Sequence, residues 1–132
     1  MIKILICDDE VFARDAMAKI IKRKGFDVLV ASTGEQCINL FKENKPEVVF
    51  LDVMLPDLDG DHLYKYLKEI KQDVHAYFIT GSDTVFTAEN AKILGANGYL
   101  LKPVNITDLM NLLDKIKKDF GEQNWRKYFL LY

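Results

Sequence analysis

The sequence predicts an α/β protein built on one parallel sheet, and three observations carry that prediction. Five short apolar runs, Ile2–Cys7, Asp27–Ala31, Val48–Val53, Ala76–Thr80 and Gly98–Leu101, alternate with segments of helical periodicity, the rhythm of strands joined by helical crossovers. Several runs are apolar at successive positions, as in Val48-Val49-Phe50-Leu51, a pattern expected of strands covered by helices on both faces. The chain of 132 residues is long enough for one domain that buries a core without a metal or disulfide staple. The strands are therefore expected to be central and buried.

Each connecting segment has its own signature. Phe12, Ala13, Ala16, Met17, Ile20 and Ile21 recur at helical spacing in the first helix, as do Leu109, Leu112, Leu113, Ile116 and Phe120 in the last. Both stripes are expected to face the sheet. Gly25 and Gly95 stand where a helix ends in a left-handed residue, Thr33 with Gln36 reads as a capping box, and Asn105 reads as an N-cap. Tyr64 and Tyr66, in the third helix, read as partly exposed packing residues. No repeat, linker or low-complexity segment interrupts residues 1–120, which form the expected domain. The remaining 121–132 form an aromatic tail. There Trp125, Tyr128, Phe129 and Tyr132 fall at i, i+3, i+4 and i+7, a helical face that packs back on its own domain, begins a linker, or meets another chain.

Composition narrows the class of function. Hydrophobic residues make up 49% and the formal charge is −2, so a soluble globular protein is expected, without the basic field that holds nucleic acid. Lys19, Lys22, Arg23 and Lys24, and likewise Lys115, Lys117 and Lys118, fall near helix C-termini, where cations favour the dipole. No apolar stretch approaches a membrane span, and Asp8 and Asp9 follow Met1 too soon for a signal peptide. Cys7 and Cys37 form neither a CxxC motif nor a disulfide framework, so they read as packing residues suited to a reducing cytoplasm. His62 and His75 lack metal-ligand spacing to each other or to a cysteine, and read as surface or hydrogen-bonded residues.

The chemistry gathers at strand ends. In a parallel α/β sheet, ligands bind beyond the carboxyl ends of the strands, and the residues just after the apolar runs are Asp8-Asp9-Glu10, Asp52, Thr80-Gly81-Ser82 and Lys102-Pro103. If the first and third strands are neighbours, three carboxylates converge. Two carboxylates about 5 Å apart repel by roughly 3 kcal/mol at an effective dielectric near 20, so the cluster asks for a cation. All-oxygen ligands completed by water and a phosphate oxygen favour Mg²⁺. A carboxylate beside Mg²⁺ and a lysine is a plausible nucleophile toward phosphorus, giving an acyl phosphate.

Over about residues 2–120 the chain resembles the receiver domains of two-component response regulators. The resemblance rests on Asp8-Asp9, on Leu51-Asp52-Val53-Met54-Leu55-Pro56-Asp57-Leu58-Asp59-Gly60, on Thr80, and on Gly98-Tyr99-Leu100-Leu101-Lys102-Pro103. It implies a flavodoxin-like, doubly wound five-stranded sheet of order 2-1-3-4-5 with five helices. It also implies residue roles. Asp52 accepts phosphate from a sensor histidine kinase or a histidine phosphotransfer protein. Asp8, Asp9, Asp52 and the Met54 main-chain carbonyl serve the Mg²⁺, Asp8 largely through water. Thr80 hydrogen-bonds the phosphoryl group, Lys102 pairs with it, and the Lys102–Pro103 peptide is cis. Thr80 and Tyr99 form the switch that remodels the face of helix four, strand five and helix five, while Met54 and Ser82 tune dephosphorylation.

By the same resemblance the partners are the phosphodonor and a downstream protein target or an output domain outside this chain. A homodimer through helices four and five or through the tail is a further reading. Direct nucleic-acid or membrane binding is not expected. A small aspartate-dependent phosphatase fits less well, because such enzymes place a second Asp two positions after the nucleophile, where this chain has Met54. A phosphate-independent docking domain would have no use for the intact set Asp8, Asp9, Asp52, Thr80 and Lys102.

Overall fold

The computed structural model describes residues 1–81 and 88–131, with side chains in the last helix as far as Gly121. Ser82 and Tyr132 lie outside the described residues, as do the side chains of Trp125, Tyr128 and Phe129. The chain runs β1 (Lys3–Cys7), α1 (Val11–Arg23), β2 (Asp27–Ala31), α2 (Gly34–Asn44), β3 (Val48–Asp52), α3 (Gly60–Ile70), β4 (His75–Thr80), α4 (Ala88–Leu94), β5 (Gly98–Leu101) and α5 (Ile106–Leu131). All strand pairs are parallel, in the order β2-β1-β3-β4-β5. This is the flavodoxin-like arrangement expected from the sequence.

Because successive strand residues point to opposite faces, the continuous apolar runs supply two cores. Leu5, Cys7, Val49, Leu51, Ala76 and Phe78 face α2 and α3, meeting Phe41, Leu63 and Leu67. Ile4, Ile6, Val48, Phe50, Tyr77 and Ile79 face α1 and α5, meeting Met17, Ile21, Leu113 and Ile116. The expectation of fully buried strands holds for β3, whose five residues are all buried. It fails for β2 and β5, which are the sheet edges and are partly exposed.

Several local expectations need correction. The first-helix stripe does not all face the sheet: Met17 and Ile21 are buried, but Ala13 and Ala16 are exposed and Phe12 is 93% exposed. The first turn of α1 stands at the carboxyl edge, past the strand residues that could cover it. Tyr64 is buried rather than partly exposed, its ring edge-on to Phe78 at 5.6 Å, while Tyr66 remains exposed. Cys7 and Cys37, expected as separate packing residues, are both buried in the core and their side chains meet there, with Cα atoms 6.1 Å apart. The end of β1 lies beside the first turns of α2, a neighbourhood that their distance in sequence conceals.

The caps fall close to expectation. Gly25 and Gly95 have φ of 94° and 83°, and Asn105 Oδ1 accepts from the Thr107 and Asp108 amides at 2.8 and 3.2 Å. Thr33 Oγ1 accepts from Gln36 N–H at 3.1 Å, but the Gln36 side chain returns to the Ser32 amide instead of that of Thr33.

Candidate acidic site at the carboxyl edge of the sheet

Strand pairing brings the polar strand ends together. Cys7 pairs with Leu51, so Asp8 and Asp52, each next in the chain, stand side by side. Thr80 pairs with Leu101, and the following Lys102 N–H donates to the Thr80 carbonyl at 2.8 Å. The helix after β3 starts directly over its end. A β-carbon on Gly60 would lie 2.6 Å from the Asp52 carbonyl oxygen and 2.9 Å from Val53 Cα, so only glycine allows this approach.

Lys102 is the hub. Its Nζ donates to Asp52 Oδ2 at 2.9 Å, to Glu10 Oε1 at 3.1 Å and to Asp8 Oδ1 at 3.3 Å. Asp52 Oδ1 accepts from the Met54 amide at 3.0 Å, and Asp8 Oδ1 accepts from the Glu10 amide at 2.9 Å. Asp8, Asp52 and Thr80 are the buried polar residues of the described chain, whereas Asp9 is exposed. The Thr80 hydroxyl donates to the Gly81 carbonyl at 3.4 Å. The Lys102–Pro103 peptide is cis. Tyr99 is 41% exposed and pairs with Phe78, two residues before Thr80, so Tyr99 and Thr80 share one face of the sheet.

The electrostatics follow from burial. Removal from water pushes the Asp8 carboxyl up to about 6, the Glu10 amide partly opposes that rise, and the neighbouring Asp52 charge adds to it. Burial alone would lower the Lys102 ammonium. Its hydrogen bonds to Asp52 and Glu10, with the charges of Asp52 and Asp8, outweigh burial and hold it well above the ordinary lysine range.

The donor set fits a hard divalent cation. Asp8, Asp9 and Asp52 each bring a carboxylate oxygen within 4.8 Å of the others. Asp8 Oδ2 is buried and accepts no hydrogen bond, although Lys102 Nζ lies 3.3 Å away. A buried carboxylate oxygen without a donor is costly, and a bound cation or a cation-bound water would satisfy it. Sequence reasoning gives Glu10 no role, yet it is the third partner of Lys102. Its place beside the acidic pair was the available signal. A second cluster, Asp59, Asp61 and His62, also gathers within 4.8 Å at the start of α3, and the sequence reading gives His62 no metal role.

Comparison with known proteins agrees with this geometry. A family model described as the response regulator receiver domain matches residues 4–114. The chain belongs to that family, the receiver domains of two-component response regulators. It is similar to the alkaline phosphatase synthesis transcriptional regulatory protein PhoP of Bacillus subtilis, 37% identical over 101 residues that cover 76% of this chain and 42% of that protein. The chain thus spans under half the length of that relative. Sporulation initiation phosphotransferase F of Bacillus subtilis is 26% identical over 113 residues, covering 86% of this chain and 91% of that one. Among solved structures, the receiver domain of AraT, a response regulator from Geobacillus stearothermophilus, superposes with a TM-score of 0.84 at 31% identity, covering 92% of this chain and 97% of that one. Among the described residues, no helix is long and apolar enough to cross a membrane.

Proposed function

We propose that residues 1–120 act as a phosphorylation-operated switch in which Asp52 is the phosphoryl acceptor. The observation that carries this reading is the contact of Lys102 Nζ with Asp52 Oδ2, 2.9 Å, inside a buried carboxylate cluster. An Asp52 oxygen attacks phosphorus, the bond from phosphorus to the donor's imidazole nitrogen breaks, and an acyl phosphate results. Asp8, Asp9, Asp52 and the Met54 carbonyl would hold Mg²⁺. When bound, the cation supplies charge neutralisation for the incoming phosphoryl oxygens. Lys102, already fixed by three carboxylates, would pair with the phosphoryl group, and the Thr80 hydroxyl would donate to it.

The donor in this reading is a sensor histidine kinase or a histidine phosphotransfer protein, and the chain acts in the cytoplasm with such donors. Exposed Phe12, Met54 and Ile106 follow the site residues closely in the chain and offer an apolar rim to a macromolecular donor. The output in this reading is the face of α4, β5 and α5. Ile93, Tyr99 and Leu101 are exposed there, giving apolar surface for a downstream protein, an output domain or a second copy. Movement of Thr80 toward a phosphoryl group would draw Tyr99, on the same sheet face, inward.

Intact-protein mass after incubation with acetyl phosphate tests the reading. One Mg²⁺-dependent phosphoryl adduct is expected on the parent and none on Asp52→Asn. A folded parent without an adduct would contradict it.

A further inference from the structure

The loop joining β3 to α3, residues 53–59, is fastened at its ends by its own backbone and in its middle by a different helix. Met54 and Asp59 form an isolated antiparallel bridge, and Gly60 N–H donates to the Val53 carbonyl at 2.8 Å. Between them, the Asp57 carboxylate crosses to α2. One oxygen accepts from the Gly34 amide at 2.8 Å and the other from the Glu35 amide at 3.1 Å.

The first four amides of a helix have no partner within it. In α2 the regular ladder begins with Cys37 N–H on the Thr33 carbonyl, and of the amides before it the Thr33 hydroxyl takes that of Gln36. Asp57 takes those of Gly34 and Glu35, and a carboxylate there also meets the positive end of the helix dipole. The fit is close. A β-carbon on Gly34 would lie 3.0 Å from Leu58 Cβ and 3.3 Å from Asp57 Oδ1, so the bare glycine lets the loop close on the helix. The Gly34 amide foremost, and then that of Glu35, holds the Asp57 carboxyl below its ordinary value.

We infer that Asp57 is a positioning residue of the acidic site, holding the β3–α3 loop against the start of α2 and thereby setting where the Met54 carbonyl stands relative to Asp52 and Asp9. The inference rests on the Mg²⁺ reading given above. Mg²⁺ demands near-ideal octahedral geometry at about 2.0–2.1 Å, so a small displacement of one carbonyl lowers affinity. Asp57 acts through the loop and not by contact with the cation.

Calorimetric titration of the full chain with MgCl₂, alongside thermal melting, tests this. Asp57→Ala is expected to weaken Mg²⁺ binding roughly 3- to 10-fold, below the range usual for residues that touch a ligand directly. Asp57→Asn should recover most of that loss, since an amide oxygen still caps the helix. Ala and Asn carry the same charge, so their difference reads geometry. Gly34→Ala, which leaves the carboxylate in place but crowds Leu58, should weaken binding as well and serves if Asp57→Ala does not fold. A purely structural role would lower the melting temperature and leave the Mg²⁺ affinity alone. Parental affinity in Asp57→Ala or in folded Gly34→Ala, or equal weakening in the Ala and Asn variants, would overturn the inference. A parent that binds no Mg²⁺ would instead overturn the metal reading, and this inference with it.

Discussion

Two acidic clusters among the described residues lie on either side of one loop and differ in almost everything except proximity. Asp8, Asp9 and Asp52 gather as tightly as Asp59, Asp61 and His62, each group within 4.8 Å. In the first, the Asp8 and Asp52 side chains are 1% and 8% exposed, and a lysine stands among them. In the second, the Asp59, Asp61 and His62 side chains are 73%, 38% and 65% exposed. Water solvates the second cluster and screens its charges. Only the first is forced to find partners, so desolvation, and not the gathering of carboxylates, makes a site.

The largest expected effect comes from removing the shared cation. Lys102→Ala leaves buried carboxylates uncompensated and should cost about 2–4 kcal/mol of stability in EDTA. Millimolar Mg²⁺ should restore most of it. Urea unfolding with and without the metal measures both, and a loss under about 0.5 kcal/mol would place this cluster with the solvated one.

A smaller effect of opposite sign is expected at Asp8. Its folded value of about 6 lies above the ordinary 3.8, so the folded protein holds this proton more tightly than the unfolded chain does. That contribution to stability is complete below pH 3.8 and is lost as pH rises through about 6. Without divalent metal, Asp8→Asn should therefore gain about 1–3 kcal/mol at pH 7 and almost nothing near pH 3.5. The same change at exposed Asp61 should stay within about 0.5 kcal/mol at both pH values. Equal responses at Asp8 and Asp61 would break the comparison.

How much of this was legible beforehand depended on what each feature answers to. Strands β2 and β5 coincide with their apolar runs, because an apolar run between turn residues marks a strand, but the runs did not tell that these two stand at the sheet edges and stay partly exposed. The site was legible for a related reason: polar residues placed immediately after apolar runs can only stand at a sheet edge. Contacts between elements were not legible. The Cys7–Cys37 contact, the Asp57 cap on α2 and the Glu10 contact with Lys102 all join residues whose neighbourhood exists only after the sheet assembles. Phe12 misled because helical periodicity gives a face but not the length of sheet available to cover it. Lys45 closes α2 in the left-handed region, φ 44°, where glycine would be the usual signal and none is present.

In the proposed switch the buried cluster, and not the exposed one, takes the phosphoryl group. Borohydride reduction of the acetyl-phosphate-treated protein, followed by peptide mapping, tests it most directly, because an acyl phosphate on aspartate is reduced to homoserine. Homoserine at position 52 alone, dependent on Mg²⁺, is the expected result. Homoserine at position 59 or 61, or a phosphoryl adduct that borohydride leaves untouched, would contradict the account.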